Sequence, residues 1–245
     1  MHQKKHVPYG SYEKYIKRPM DFTLSLLALI VLSPLLLLLT IVGTVCMGGN
    51  PFFTQLRPGK DEKIFKLIKF RSMNNKKDED GNLLPDEQRL TKYGKFIRAT
   101  SMDELPELIN IIKGDMSIVG PRPQLVRDMV FMSEEQRRRH DVRPGLSGLA
   151  QVSGRNAIDW EGKLSIDLEY VKNISFIGDC KIIIHTIIKV LKREDISDGE
   201  NATALDYGDM LLQEGGITLE RYNNMQECAR KIVSCYESGL DLKNG

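Results

Sequence analysis

The feature that most constrains this chain is an uncharged, apolar segment near its N-terminus. From Phe22 to Met47 there are 26 residues without Asp, Glu, Lys or Arg, and they include a run of five leucines. The segment is longer than the apolar core of a signal peptide, and no small-residue cleavage site follows it. Its length suffices to reach across a bilayer. We therefore expect the segment to be embedded in a membrane.

Ser33-Pro34, near the middle of the segment, predicts that the membrane helix is broken. Proline lacks a backbone N–H and its ring clashes with the preceding turn, whereas the serine hydroxyl can satisfy a freed backbone group. Each arm then has about a dozen residues, or roughly 18 Å of helix, against a hydrocarbon core of about 30 Å. A re-entrant helix that turns back within the membrane fits these lengths.

The charges beside the segment favour the same topology. Basic residues mark the cytoplasmic side of a membrane, and here both flanks are basic. The flanking residues are Lys14, Lys17 and Arg18 before the segment and Arg57, Lys60, Lys63, Lys66, Lys69 and Arg71 after it. A hairpin that enters and leaves by one leaflet satisfies both flanks. A proline-kinked helix that crosses once is the alternative.

Charge and cysteine content exclude several other classes of protein. The net charge of +2 is too small to indicate nucleic-acid binding, and no stacking aromatics accompany Arg137–Arg139, so these arginines are expected on a surface helix face. The four cysteines form no C-x-x-C pair, which argues against a zinc site and fits a reducing compartment. The soluble part is therefore expected in the cytosol.

Periodicity and punctuation give the organisation of the remaining chain. Ser133 and Gln136 form a capping box, and the isoleucine-rich helix near residue 185 belongs either to the core or to the membrane interface. The predicted elements are a strand or short helix at 63–73, an exposed loop at 74–88, helices at 103–113, 134–140, 180–193 and 219–238, and a glycine-containing loop at 143–155. The expected units are a polar lead (1–16), the re-entrant helix (17–48), a cytoplasmic domain (49–200) and a C-terminal extension (201–245).

The most informative candidate for chemistry is Ser101-Met-Asp103-Glu104-Leu-Pro106. Ser101 and Glu104 have the spacing of a capping box, which predicts that Asp103 and Glu104 lie in the first turn of a helix. Free N–H groups and the helix dipole make such a place an anion site. A carboxylate there can act as a nucleophile on phosphorus, and its neighbour can hold Mg²⁺. Acidic residues are common at helix N-termini, so this segment alone decides nothing.

Two further segments carry groups suited to phosphate. In Gly120-Pro-Arg122-Pro123 the prolines hold the backbone extended and present one guanidinium. In residues 145–155 the glycines allow close backbone approach to phosphate and Arg155 adds charge, but neither a P-loop nor a G-x-G-x-x-G pattern is present. The other basic candidates are Lys69, Arg71 and Arg98. Asp78-Glu-Asp80 has a D-x-D spacing but lies in a charged loop and is expected to face solvent.

The order of these segments resembles the bacterial sugar transferases, specifically the small monotopic phosphoglycosyl transferases, over about residues 15–200. The segments that carry the resemblance are Lys17-Arg-x-x-Asp21, Ser33-Pro34, Phe53-Thr-Gln-x-Arg57-Pro-Gly59, Lys69-Phe-Arg-Ser-Met73, Ser101–Pro106, Lys113-Gly-Asp-Met-Ser117, Gly120–Pro123 and Arg143-Pro-Gly-x-x-Gly-x-Ala-Gln-x-x-Gly-Arg155. So many ordered segments make chance agreement improbable. The C-terminal extension departs from the resemblance, since small members usually end near residue 193.

The resemblance implies a mostly helical α+β protein: a monotopic membrane protein with a re-entrant helix broken at Ser33-Pro34 and a compact cytoplasmic catalytic domain with interfacial amphipathic helices. It implies a bacterial cytoplasmic (inner) membrane location, association with one leaflet and the substrates UDP-sugar and polyprenyl (undecaprenyl) phosphate. A homo-oligomer is left open.

The resemblance also implies a ping-pong reaction. Asp103 attacks the sugar-bearing phosphate and UMP leaves, after which the polyprenyl phosphate takes the phosphosugar from the carboxylate. Glu104 is implied as a Mg²⁺ ligand and Arg122 as a nucleotide-side residue. Lys69, Arg98, Arg155 and Asp167 are implied around the phosphates and the metal. Two rival hypotheses are a membrane-anchored binding or scaffold protein and a conventional glycosyltransferase that uses Asp78 and Asp80.

Overall fold

The computed structural model describes residues 6–8, 10–154, 158–192 and 205–239. The expected mostly helical α+β fold is confirmed, with few and short strands. The α-helices are α1 Lys17–Val31, α2 Ser33–Met47, α3 Asp86–Arg89, α4 Lys92–Ala99, α5 Glu107–Lys113, α6 Val126–Met129, α7 Glu134–Arg137, α8 Leu149–Gly154, α9 Trp160–Lys172, α10 Phe176–Lys192, α11 Tyr207–Gln213 and α12 Leu219–Glu237. The strands are β1 Phe52–Pro58, β2 Ile64–Phe70, β3 Ser117–Val119 and β4 Gly145–Ser147.

The predicted break of the apolar helix at Ser33-Pro34 is confirmed. Pro34 has no N–H, so the Ile30 carbonyl loses its helical donor, and the Ser33 hydroxyl donates to that carbonyl instead at 2.7 Å. α1, which continues a π-helical turn at Tyr12–Ile16, and α2 meet at an angle of 64°. Among the described residues no unbroken helix has the length and hydropathy of a membrane span; the bent pair reaches them only together.

Polar contacts attach α1 to the rest of the fold. The Arg18 guanidinium donates to the carbonyls of Ile111 and Ile112, at 2.6 and 2.9 Å, in the last turn of α5, where carbonyls lack their full set of helical donors. Asp21, buried on the same side of α1, accepts from the Ser117 hydroxyl at 2.6 Å. The apolar helix pair is therefore built into the domain rather than appended to it.

The helix pair also carries many exposed apolar side chains, and α10 carries a further set. The exposed apolar side chains are Phe22, Leu24, Leu26, Leu27, Ile30 and Val31 on α1, Leu37, Leu38, Ile41, Val42 and Val45 on α2, and Phe176, Ile177, Ile184, Ile187, Ile188, Val190 and Leu191 on α10. Exposed apolar patches of this extent mark a surface that binds something apolar.

The β1–β2 hairpin is the platform on which α5 is placed. The strands pair antiparallel, and the buried Asn110 of α5 replaces a missing neighbour strand for β2. Its amide donates to the Lys66 carbonyl at 2.8 Å and accepts from the Ile68 N–H at 3.1 Å. These two bonds fix α5, and the segment just before it, against the end of β2 that carries Lys69.

The glycine segment behaves differently from the prediction. Residues 143–154 contain strand β4 and helix α8 rather than a loop throughout, and β4 pairs in parallel with β3. A Cβ on Gly145 would lie 2.1 Å from the Gly120 nitrogen, and one on Gly148 would lie 2.4 Å from the Gly120 oxygen. These glycines therefore allow two backbone segments to touch, whereas the sequence suggested close approach to a phosphate.

Several other predicted elements are confirmed. The 63–73 segment is strand β2 over Ile64–Phe70, and the Ser133–Gln136 capping box opens α7, which passes into a 3₁₀ turn at Arg138–Asp141. α10 begins four residues before its predicted start, and α12 ends one residue before its predicted end. The 74–88 segment is largely exposed irregular chain, including residues 78–80.

Candidate active site

Asp103 and Glu104 lie on a 3₁₀ turn, Met102–Glu104, and the predicted capping box there is wrong. Ser101 has φ 53°, in the left-handed region, and its side chain makes no capping hydrogen bond. Because proline disfavours continuation of a helix through it, α5 begins only after Pro106. The two carboxylates are thus held between α4 and α5, and the surrounding side chains rather than a helix N-terminus determine their charge.

Glu104 is the centre of an ion-pair cluster. Its Oε1 accepts from Lys69 Nζ at 2.8 Å and from Arg122 Nη2 at 2.6 Å, and its side chain is only 12% exposed. Although burial opposes ionisation, the Arg122 and Lys69 charges hold the pKa of Glu104 well below its ordinary range. In return, Glu104 raises the pKa of Arg122. The cluster therefore joins β2, the Asp103–Glu104 turn and the Pro-Arg-Pro segment.

Asp103 is half-buried beside this cluster. Burial, and secondly the Glu104 carboxylate, raise the pKa of Asp103, while Lys69, Arg122 and Arg98 act against that rise. A half-buried carboxylate of raised pKa, under the influence of three nearby cations, is suited to attack an electrophile that brings its own negative charge.

Glu107, which the sequence reasoning missed, is the third carboxylate of the cluster. It lies one turn after Glu104, its side chain is 3% exposed and its Oε1 is 3.1 Å from Lys69 Nζ. Lys69 is therefore shared between two glutamates. The pKa of Glu107 is raised to about 7, chiefly by burial; the Glu104 carboxylate adds to the rise, and Lys69 and Arg122 act against it. The i, i+3 spacing of Glu104 and Glu107 was the signal that could have found it.

Replacing Glu107 by Gln is expected to remove a pH-dependent penalty on folding. The pKa of Glu107 is about 7 in the folded protein, above its ordinary value of 4.5, so folding favours the protonated form. The stability that protonated Glu107 contributes is therefore complete below pH 4.5 and is lost as the pH rises through about 7. E107Q should therefore exceed the parent in free energy of unfolding by about 1–3 kcal/mol at pH 8 and equal it near pH 4.5. Denaturant unfolding at both pH values measures this; a difference independent of pH would contradict it.

The Pro-Arg-Pro segment is held by two arginines through its backbone. Arg139 Nη2 donates to the Arg122 carbonyl at 2.6 Å, and Arg57 Nη1 donates to the Pro123 carbonyl at 3.2 Å. Neither contact uses the Arg122 side chain, which is free to pair with Glu104. The backbone of this segment is thus held by donors from elsewhere in the chain, of which Arg139 is buried.

Asp167, which the resemblance implied near the phosphates and the metal, is buried against Arg139. It is 3% exposed, and its Oδ2 accepts from both Nε and Nη2 of Arg139, at 3.0 and 2.6 Å. Arg139 is as deeply buried, so the expectation that Arg137–Arg139 form a surface helix face is wrong for this residue. Asp167 therefore supports Arg122 at one remove, through Arg139.

The other predicted basic residues are placed less directly. Arg98 Nε donates to the Ser72 hydroxyl at 2.8 Å, and its charge acts on Asp103. Arg71 directly follows β2, and its backbone N–H donates to the Pro51 carbonyl at 2.7 Å. Within the described part of the chain no contact joins the Arg71 guanidinium to Asp103 or Glu104. Arg155 lies outside the described residues.

A metal ion would need oxygens from a ligand to complete its shell here. Among the described residues no group of three or more His, Cys, Asp or Glu side chains is arranged to hold one. Lys69 and Arg122 both contact Oε1 of Glu104, which leaves Oε2 to face a cation. Mg²⁺ is commonly held by one or two carboxylates together with substrate phosphates and water. The carboxylates present fit that mode.

Comparison with known proteins decides the family. The sequence model of the bacterial sugar transferase family matches residues 12–193, which include every carboxylate and arginine of the cluster. The chain belongs to the bacterial sugar transferase family. The transferase is 48% identical over 189 residues to the uncharacterized sugar transferase EpsL of Bacillus subtilis strain 168, with 77% of the chain and 94% of EpsL covered.

Two relatives of this transferase have names that state a reaction. It is 36% identical to the undecaprenyl-phosphate galactose phosphotransferase of Salmonella typhimurium strain LT2 and 36% identical to the UDP-glucose:undecaprenyl-phosphate glucose-1-phosphate transferase of Escherichia coli K12. In both cases 74% of the chain is matched, and the match spans only 41% of the relative. The shared part is the segment that carries the Asp103–Glu104 cluster.

Proposed function

We propose that this transferase moves a sugar-1-phosphate from a UDP-sugar to a polyprenyl phosphate and releases UMP, as the first membrane step of a bacterial glycan or glycoconjugate pathway. The observation that carries the proposal is the position of Asp103, a half-buried carboxylate of raised pKa beside Lys69, Arg98 and Arg122. The names of the Salmonella typhimurium and Escherichia coli relatives support the substrate class.

The proposed reaction has two displacements at one phosphorus. Asp103 attacks the sugar-bearing phosphorus, a carboxylate O–P bond forms, and the bond to the bridging oxygen breaks so that UMP leaves with its electron pair. An oxygen of the polyprenyl phosphate then attacks the same phosphorus, and the carboxylate O–P bond breaks. The product is a polyprenyl-diphosphate-sugar, and Asp103 returns as a free carboxylate.

The side chains around Asp103 supply positioning and charge neutralisation, which dominate phosphoryl transfer. Arg122 and Lys69 are pre-set by Glu104, so little reorganisation is needed when a diphosphate enters between them. Of the two cations paired with Glu104, Arg122 has the more exposed side chain, 36% against 18% for Lys69, and it is assigned to the nucleotide side. Arg98 approaches Asp103 from α4 and is assigned to the transferred phosphate.

We assign Glu104 as the residue that holds Mg²⁺ together with the donor diphosphate. The bound ion would neutralise charge on the diphosphate as UMP departs. Ion pairing already keeps Glu104 ionised, which a metal ligand requires. Titration of Mg²⁺ into the wild type and E104Q, in the presence of UDP, tests the assignment; equal Mg²⁺ affinity in the two would remove it.

We place α1 and α2 in the cytoplasmic leaflet of the bacterial inner membrane, with the catalytic domain on the cytoplasmic face. Each helix has 15 residues, or about 22 Å of helix, which is short of a hydrocarbon core of about 30 Å. The 64° bend, the basic flanks and the exposed apolar surface support a re-entrant hairpin. A reporter fused to the N-terminus should stay cytoplasmic; an external reporter would favour a single kinked crossing.

The nucleotide released from a UDP-sugar separates the proposed reaction from its rivals. Protein in lipid discs with undecaprenyl phosphate and Mg²⁺ is offered UDP-galactose, UDP-glucose and their N-acetylated relatives. Release of UMP with one of these sugars is the expected result. Release of UDP would indicate a conventional glycosyltransferase, and binding without release would indicate a binding or scaffold protein.

A further inference from the structure

Residues 205–239 lie beyond the family match at 12–193 and nevertheless pack against the catalytic domain. Ala229 of α12 is 4% exposed within a cluster that includes Val126 and Met129 of α6. Tyr207, at the start of α11, is 3% exposed and packs with residues of α9 and of the 131–132 segment. Burial of this degree shows that the extension is part of the folded unit.

A buried polar connection between the extension and α6 runs through Asp128. This carboxylate is 1% exposed; one oxygen accepts the Leu125 N–H at 3.2 Å and the other accepts the Tyr207 N–H at 3.0 Å. The same side chain therefore caps the first turn of α6 and holds the first residue of α11. An ion pair between Arg127 and Asp206 lies beside it.

The contact between α11 and Phe131, two residues after α6 ends, leaves no room for a side chain on Gly208. A Cβ there would lie 2.4 Å from Cε2 of the Phe131 ring. That ring is stacked on Tyr222 of α12 with centroids 5.7 Å apart, so it has little freedom to move away. The extension is thus fitted closely to the residues that follow the Pro-Arg-Pro segment.

α6 begins three residues after Pro123, so a shift of α6 is transmitted to Arg122 through a short stretch of chain. The carbonyls of Arg122 and Pro123 accept hydrogen bonds from Arg139 and Arg57, which both belong to the family domain. The extension supplies a third attachment, to α6, which follows these two residues in the chain. The two carbonyls are thus held directly, and the chain that follows them is held through α6.

We propose that residues 205–239 are a brace that keeps Arg122 aligned with the UDP-sugar, and that Asp128 is the positioning residue through which the brace acts. Naming the UDP-sugar rests on the proposed function. A displacement of about 1 Å at a site that orients substrate can cost about 100-fold in rate. The polyprenyl phosphate arrives from the membrane side, so the brace affects the donor and leaves the acceptor unaffected.

The test compares two glycine-to-alanine variants within the extension. G208A forces a Cβ into the Phe131 ring, whereas G216A meets nothing closer than 3.4 Å. G208A is expected to raise the KM for the UDP-sugar, and the Kd for UDP measured by calorimetry, by at least about tenfold. The KM for polyprenyl phosphate should be unchanged in both variants, and G216A should equal the wild type in all three constants.

A milder variant keeps the test decisive if G208A does not fold. D206N removes the charge that pairs with Arg127 and leaves the family domain untouched; an increase of about two- to fivefold in the Kd for UDP is expected. Donor KM and UDP affinity equal to those of G216A, alongside a lowered melting temperature, would overturn the brace and make the extension purely structural. Because UDP binding needs no turnover, a wild type that binds UDP but releases no UMP would refute the proposed function and still test the brace.

Discussion

Replacing Asp103 by Asn is expected to abolish UMP release, with turnover reduced by at least about 1,000-fold. The amide has the size and shape of the carboxylate but lacks the anionic oxygen that would bond to phosphorus. Lys69, Arg98 and Arg122, which act on the Asp103 pKa, keep their own positions in D103N. UDP binding should therefore change by much less than turnover, and calorimetry alongside an assay of UMP release measures both.

The matched control for D103N is a double replacement of Asp78 and Asp80 by Asn. Both residues lie on the exposed 74–88 segment, and turnover should be unaffected. Loss of activity in this control, together with release of UDP by the wild type, would support the conventional glycosyltransferase hypothesis. Undiminished turnover in D103N would contradict the assignment of Asp103 as the nucleophile.

Replacing Asp167 by Ala is expected to destabilise the fold by about 3–5 kcal/mol, because it leaves the Arg139 charge buried and unpaired. Arg139 is 2% exposed, and both of its donors to Asp167 lie within 3.0 Å of one carboxylate oxygen. Denaturant unfolding of D167A measures the loss. A stable D167A that loses only activity would contradict this account and restore the direct role at the substrate that the resemblance implied.

A double variant separates the stability of this pair from its effect on the site. Arg139→Met with Asp167→Leu replaces both charges by apolar groups of similar volume, a change that is often neutral for stability. The Arg122 carbonyl would then lose the donor at 2.6 Å from Arg139. We expect stability near that of the parent together with a raised KM for the UDP-sugar; a raised KM only in D167A would contradict the positioning role.

What the sequence predicted well is what neighbouring residues determine. The helix break follows from Pro34 and the hydroxyl before it, the start of α7 follows from the Ser133 capping box, and α12 follows from an apolar period of 3.6. The ordered segments of the family likewise identified Asp103, Glu104, Lys69 and Arg122, which the fold brings together.

What the sequence left hidden depends on contacts between distant residues. Arg139 and Asp167 are 28 positions apart, and a triple-arginine run gives no sign that only its last member is buried. The capping-box spacing at Ser101 was misleading because the left-handed backbone there and Pro106 place a 3₁₀ turn before α5. The docking of the extension depends on Asp128, whose Oδ1 accepts a hydrogen bond from the backbone N–H of Tyr207, 79 residues later.

The most direct test of the central claim is the intact mass of the protein after incubation with its UDP-sugar alone, without polyprenyl phosphate. One phosphosugar is expected to be added per chain, with about one equivalent of UMP released, and neither change is expected in D103N. Addition of polyprenyl phosphate should then return the original mass. UMP release that requires the acceptor, with no mass added at any time, would contradict the covalent intermediate on Asp103 and indicate a single direct displacement.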